Sequence, residues 1–409
     1  MASHQDPDRR GTTRRAFVRT LGVSAAAVCA PGSLLAQGAA GGELEQRLTL
    51  LVQEYDRQGN HRTGTRGDLL SAQWLSTQMQ GWRVAASLEP FAFTRVDVLN
   101  AYLQERERRV DGVPLYDATF TDAFGVFGRL GPPEAATEVA VVASDDPTWP
   151  GLRRQTKAAA IVLVAKGARA GLAPQDAPDY GTPFGPPVLQ VSSEEAGWLR
   201  QQIEKQASVR VVLEAKREPA QAFNVFARIR GRDPGAAPLV VSASRSGWWR
   251  AVSERGGGLA CLLEAVRAVS AIRPLRDCVF VAVTGGELGD LGTAALIEKH
   301  PELGTASAWV RLGPDLGTSA RGSLVAETSD EALAAAAREA AVGAGVEVET
   351  RRGNSAAPFH ANGRVISVFA TGNPYSRLAS DRWPDAVSVQ ALAAQATIVV
   401  GLVRGLAAR

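Results

Sequence analysis

The fold class that the sequence predicts is α/β, a mostly parallel sheet with helices on both faces, plus a small inserted β/α domain. Two observations carry this. From residue 220 to 409, short apolar runs alternate with segments of helical period, the signature of βαβ units. Between residues 97 and 219 the texture changes to short strands joined by loops rich in Pro, Gly and Asp. A hydrophobic content of 45% with 21% charged residues places the 409-residue chain among globular proteins rather than fibrous or disordered ones.

Near the start, "TTRRAFVRTLGVSAAAVCAPGSLLAQG" sets Arg14 and Arg15 before Phe17, a modest apolar run and small residues. That is the layout of a twin-arginine export signal over residues 1–36, with a run too short and mild to span a membrane as a mature helix. It implies a periplasmic or secreted protein. Leu44, Leu48 and Leu51, then Leu69, Trp74 and Leu75, predict helices over 43–57 and 68–80, with Asp68 capping the second. Arg66-Gly67-Asp68 reads as a helix entry, not an adhesion tripeptide.

"RVAASLEPFAF" alternates as a strand and closes the first piece of the main domain, residues 43–96. Inside the insert, "EVAVVAS", "AAAIVLVAK", "PPVLQVS" and "SVRVVLEA" are strands, and residues 194–206 form a helix. The main domain resumes over 220–409. There "FNVFARIRG", "PLVVSAS", "CVFVAVTG", "ASAWVRLG" and "RVISVFAT" are strands, and 256–271, 289–300, 329–343 and 388–408 are helices.

Setting residues 1–36 aside removes five arginines and two aspartates, so the remainder carries 40 basic and 40 acidic residues. A near-neutral body without a basic patch argues against a nucleic-acid partner. Cys261 and Cys278 fall in apolar patterns, as a disulfide that an export compartment permits or as two buried thiols. Neither has partners at metal-binding spacing.

Ligands of open α/β sheets bind beyond the carboxyl ends of the strands. The candidate loops are Ser244–Gly258, Gly285–Asp290, Arg311–Asp315, Asn354–His360 and Gly372–Asp385. The first, "SRSGWWRAVSERGGG", offers serines, arginines, paired tryptophans and a glutamate, without His, Cys or Asp.

These loops carry a resemblance. "HRTGTRGDLLSAQWLSTQM", "RGGGLACLLEAVRAV" and "VFVAVTGGELGDLGT" resemble segments of metallopeptidase family 28, the co-catalytic zinc aminopeptidases and glutaminyl cyclases. "KAAAIVLVAKG" followed by "PPVLQVSSEEAGWL" resembles the protease-associated domain inserted in many members. The resemblance spans nearly the whole mature chain and implies a zinc aminopeptidase-like fold. It also implies two zinc ions and a glutamate base. The chain departs from that pattern. Ser244-Arg245-Ser246 stands where the family has His-x-Asp, Glu254 where an aspartate bridges the metals, and Gly286-Glu287 where it has paired glutamates. Arg311 replaces the next ligand carboxylate and Arg377 the last histidine. Only Glu254 and Glu287 remain at ligand positions. No metal or other cofactor is expected, and zinc enters only if that correspondence is shifted.

The expectation is that Arg245, Arg311 and Arg377 line the old metal pocket and face Glu254 and Glu287. They form either a buried ion-pair network or a seat for an anion, with Trp248 and Trp249 facing the ligand or a domain interface. The favoured reading is an exported pseudo-peptidase. Its non-zinc pocket, lined by Ser244, Arg245, Ser246, Trp248, Trp249, Arg311, His360 and Arg377, binds a small anionic or peptide-like ligand. One alternative is a divergent hydrolase or transferase acting on amide bonds, with Glu287 and Glu254 as candidate catalytic groups. Another is a scaffold whose insert recruits a protein partner.

Overall fold

The computed structural model describes residues 32–135, 137–353 and 364–409. Of the expected export signal, residues 1–36, the part up to residue 31 lies outside the described residues, as does the loop holding His360. The chain divides after Ala40, and the described residues of the first unit, 32–40, form the opening of one helix. The second unit, Gly41 to Arg409, holds the sheet and the pocket.

Helices α1 (Gly32–Arg57) and α2 (Arg66–Gly81) come first. The N-cap of α2 is Thr65, not Asp68, which sits in the first turn and accepts a hydrogen bond from Gly64 N at 2.8 Å. The middle of the chain holds β1 (Ala86–Glu105), β2 (Arg108–Asp111), β3 (Val113–Pro114), β4 (Val126–Gly131), β5 (Val139–Ala143), α3 (Trp149–Gln155), β6 (Ala160–Val164), β7 (Val188–Val191) and α4 (Ala196–Glu204). Then come β8 (Ser208–Ile229), β9 (Leu239–Ser244), α5 (Gly257–Ser270), β10 (Cys278–Val283), α6 (Leu291–Lys299) and β11 (Ala308–Leu312). The last are β12 (Leu324–Thr328), α7 (Glu331–Ala344), β13 (Glu349–Arg351), β14 (Val365–Ala370) and α8 (Val389–Ala407).

The sheet is mixed and mostly parallel, running β13-β12-β14-β11-β9-β10-β8-β4-β5-β6-β7-β3. Strands β14, β11, β9 and β10 are parallel, and so are β4 to β7; β12 and β8 enter antiparallel. Alternate residues of the central strands feed opposite faces. Val241, Ala243, Phe280 and Val310 pack with α1, α2, α5, α7 and α8, while Val240, Val279, Val281 and Trp309 pack with Leu296 of α6. Helix α8 is long and apolar enough to cross a membrane by composition, but Leu392, Ala396, Val399 and Val403 are buried in this core.

Two expected strands, "SVRVVLEA" and "FNVFARIRG", are one continuous strand β8, because β1 runs antiparallel beside it from Ala86↔Ala227 to Gln104↔Arg210. Both expected insert boundaries, residues 97 and 219, fall inside this ribbon. Strand β12 was not expected; five residues with a glutamate among them carry little pattern. Cys261 and Cys278 are free, buried thiols, the second with its pKa pushed by burial up to about 12.

Candidate functional site

The carboxyl ends of the adjacent parallel strands β9, β10 and β11 lie side by side, and the loops after them build a buried polar cluster, the candidate pocket. After β9 the chain makes a left-handed turn at Ala251 and a π-helical turn, Val252–Gly256, before α5. Gly257 is required here: a Cβ would stand 1.7 Å from the Leu316 carbonyl oxygen. This close approach brings the Glu254 carbonyl to the Asp315 N–H at 3.2 Å.

Glu287 is fully buried and held in a cradle of donors. Oε1 accepts from Thr63 N at 2.9 Å and Thr63 Oγ1 at 2.6 Å, and Oε2 from Ser246 Oγ at 2.6 Å. Ser246 Oγ accepts in turn from Gly285 N at 2.9 Å, so its hydrogen-bonding capacity is used within the protein. Burial holds the Glu287 carboxyl above its usual range, against these hydrogen bonds. The network continues inward through Thr284, whose hydroxyl donates to Asp68 Oδ1 at 2.7 Å.

Arg245 does not line the pocket. It is fully buried and reaches the other way, ion-paired with Asp68 at 2.7 Å and donating to Ser71 Oγ at 2.6 Å and to the carbonyls of Asp68 and Phe223. The reason is register: Ser244 and Ser246 face the loops, and the residue between them points to the opposite side of the strand end.

The guanidinium in the pocket is that of Arg255, a residue the sequence pattern does not single out. Its Nη2 lies 3.0 Å from Glu254 Oε1. Burial works against its charge, but Glu254, Asp176 and Glu287 outweigh burial and raise its pKa above the ordinary value. Glu254 Oε2 accepts from Arg377 N at 3.1 Å, and the Arg377 guanidinium pairs with Asp176. Asp176 belongs to the long loop of the middle segment, anchored nearby by Ala177 N donating to the Glu287 carbonyl at 2.8 Å. Trp248 is buried; its Nε1 donates to Asp176 at 3.2 Å and its ring stacks on Tyr116 at 4.9 Å, where the two parts of the chain meet. Trp249 is half-buried beside it.

Three more carboxylates complete the pocket, none singled out from sequence. Burial, with the Glu254 charge adding, pushes Asp315 up to about 6 and Asp381 up to about 7. Asp381 accepts from the backbone N–H groups of Ser253 and Glu254 at 2.8 and 3.0 Å. Asn373 ties Ser253 Oγ to Asp315 at 2.9 and 2.7 Å. Asp290 is also raised by burial, with Arg311 and Arg255 opposing.

Ser244 Oγ is buried without a hydrogen-bond partner among the described residues. It lies 3.0 Å from where a side chain at Gly286 would begin, and Asp290 Oδ1 lies 3.9 Å from the same point. Arg311, half-buried at the end of β11, makes no hydrogen bond or ion pair among the described residues. His61 and His300 stand outside this group. His61 stacks on Tyr55 at 3.8 Å, with burial lowering its pKa to about 3, and His300 pairs with Glu89 at 3.0 Å.

A zinc pair does not fit these residues. Both oxygens of Glu287 and of Glu254 are already engaged, and a guanidinium brings its positive charge to the same carboxylates. Among the described residues no group of three or more His, Cys, Asp or Glu is arranged to hold a metal ion.

No family model matches the sequence, and no curated protein does. Solved structures do. A zinc aminopeptidase from Bacillus subtilis superposes with a TM-score of 0.75 at 18% identity, over 90% of this chain and 95% of that one. A peptidase M28 precursor from Shewanella amazonensis gives 0.68 at 15%, over 92% and 98%. An aminopeptidase from Aneurinibacillus gives 0.66 at 15%, over 90% and 94%. At these TM-scores and coverages the chain has the fold of the zinc aminopeptidases.

Proposed function

We propose that this chain is an exported pseudo-peptidase, whose pocket binds a small anionic or peptide-like ligand without zinc. The observation that carries the reading is the Arg255–Glu254 pair, 3.0 Å apart where the fold's relatives would place a bridging carboxylate and its metal. Backbone strain supports a retained purpose. Of seven non-glycine residues with left-handed backbone among those described, four surround this pocket: Ala251, Asp290, Asp315 and Arg377. Each costs on the order of 1 kcal/mol or more, and such strain gathers at functional sites. Ser244 and Arg311 are the groups left to meet a ligand, and a guanidinium suits a carboxylate.

In this reading residues 97–219 are a protease-associated-like insert. Support comes from its own parallel strands β4 to β7 and an apolar cluster around Leu103, Val162 and Leu189. The insert lends Asp176 to the pocket and is also a surface for a protein partner.

A second reading, a divergent amide hydrolase, draws on Asp290. Its carboxylate approaches the position vacated at Gly286, beside the Ser244 hydroxyl, and a carboxylate of raised pKa there suits general-base work.

Metal content by elemental mass spectrometry, before and after zinc addition, tests the proposal alongside a panel of aminoacyl and peptide substrates. The expected result is no stoichiometric zinc and no turnover, with saturable binding of a small carboxylate that Arg311→Ala weakens. Two equivalents of zinc with peptidase turnover would sink it. Turnover without metal, lost in Asp290→Asn, favours the second reading.

A further inference from the structure

Trp248 and Trp249 line a cavity of about 690 Å³, which Ser244, Glu254, Glu287, Asp290 and Arg311 do not touch. One wall comes from the end of α1, the connection and the start of α2: Arg57, Arg62, Arg66 and Leu70. The other comes from the middle segment, with Val98, Val113, Tyr116 and Pro174. We infer that this groove binds a small organic acid, a carboxylate carried on an aromatic or apolar body.

Charge is the first argument. Three arginines line the groove and no Asp or Glu does. Arg62 is partly engaged, donating to the Val96 carbonyl at 2.6 Å and lying 3.7 Å from Asp97. Arg57 and Arg66 are exposed, and neither makes an ion pair or hydrogen bond among the described residues. Arg57 closes α1, where a cation suits the field of the helix. Arg66 opens α2, where a cation opposes that field, so the helix supplies no reason for it. An anion in the groove does.

The walls are the second argument. The Tyr116 ring is stacked on Trp248, and the Trp249 ring lies beside them with its indole N–H buried and unpartnered among the described residues. Leu70 and Val98, 36% and 37% exposed, leave apolar surface at the same concavity. Single exposed apolar residues need no explanation, but aromatic walls, an apolar lining and convergent guanidinium groups together make a small-molecule site. The volume lies within the range such ligands occupy, roughly 300–1,000 Å³. A guanidinium also binds a carboxylate in two parallel hydrogen bonds and stacks on rings, which fits an acid with a flat body. This site goes beyond the pocket proposed above and does not depend on it.

Titration calorimetry on the purified full chain tests the inference with naphthalene-2-acetate and its neutral amide. The acid is expected to bind saturably in the groove, at least tenfold more tightly than the amide. Replacing both exposed arginines, Arg57→Ala with Arg66→Ala, is expected to weaken the acid at least tenfold, while Arg311→Ala leaves it unchanged. No saturable binding, equal affinity for acid and amide, or binding that survives the double replacement overturns the assignment. Dependence on Arg311 overturns it too, because the acid would then sit in the other pocket.

Discussion

Glu254 and Arg255 are consecutive in the chain, and the guanidinium of the second closes on the carboxylate of the first at 3.0 Å. Neighbours rarely meet this way in a regular helix, where adjacent side chains diverge. The π-helical turn Val252–Gly256 brings them together. Arg255→Ala leaves the buried Glu254 with an uncompensated charge near Asp176 and Glu287. Stability is expected to fall by about 2–4 kcal/mol. Denaturant unfolding checks this, and an unchanged midpoint would show that the pair contributes nothing.

Glu287 accepts from three donors on two loops, so Glu287→Ala strands Thr63 and Ser246 together. An expected loss of about 2–4 kcal/mol comes from the buried hydrogen bonds removed. Thr63→Val, which deletes one donor, is expected to cost about half as much, measured on the same unfolding curve.

Arg245→Ala is expected to act on stability and not on ligand affinity. It leaves Asp68 buried without its cation, a change of about 3–5 kcal/mol. Thermal unfolding and a binding titration separate the two effects. Weaker binding at unchanged stability would return Arg245 to the pocket.

Stability is expected to fall as pH rises from about 4.5 to 7, because two raised carboxylates outweigh one lowered histidine. Asp381 and Asp315 have folded pKa values raised from 3.8 to about 7 and about 6. Each therefore contributes stability that is complete below the unfolded pKa and lost as pH rises through the folded one. His61 works in the other direction. Lowered from 6.5 to about 3, it contributes above the unfolded pKa and loses that contribution as pH falls. Melting temperatures from pH 4.5 to 8.5 test this. Asp381→Asn should flatten this fall and His61→Gln should steepen it; a curve that both variants leave unchanged refutes the assignment.

Replacing Arg14 and Arg15 together by lysine is expected to retain the precursor inside the cell. Fractionation of cells expressing a tagged chain reads this out, and undiminished export would remove the twin-arginine reading.

Much of this site is legible in the sequence, and the illegible parts have physical causes. The α/β alternation and the convergence of the loops after β9, β10 and β11 come from periodicity. Ser244 and Glu287 stand out because they occupy positions of the family pattern. Arg245 is misplaced when residue type is read without strand direction, since a single residue of alternation decides which side it faces. Arg255 stands beside Glu254 in "SERGGG" and escapes notice, since nothing in a linear pattern announces a π-helical turn. Asp176 lies far from the other loops in sequence, so only folding of the middle segment over the sheet could bring it in.

The β1–β8 ribbon has a mechanical consequence. Eighteen paired positions run without a break from beside β10 to beside β4, apart from a register shift between Val98 and Asn100. The middle segment is thus mounted on a leaf spring rather than a hinge. A leaf spring bends and twists smoothly but does not swing open, because no loop residue is free to absorb a large backbone rotation. Entry to the pocket beneath would then be governed by local rearrangement of the strap around Asp176, at a far smaller amplitude than the parting of two bodies.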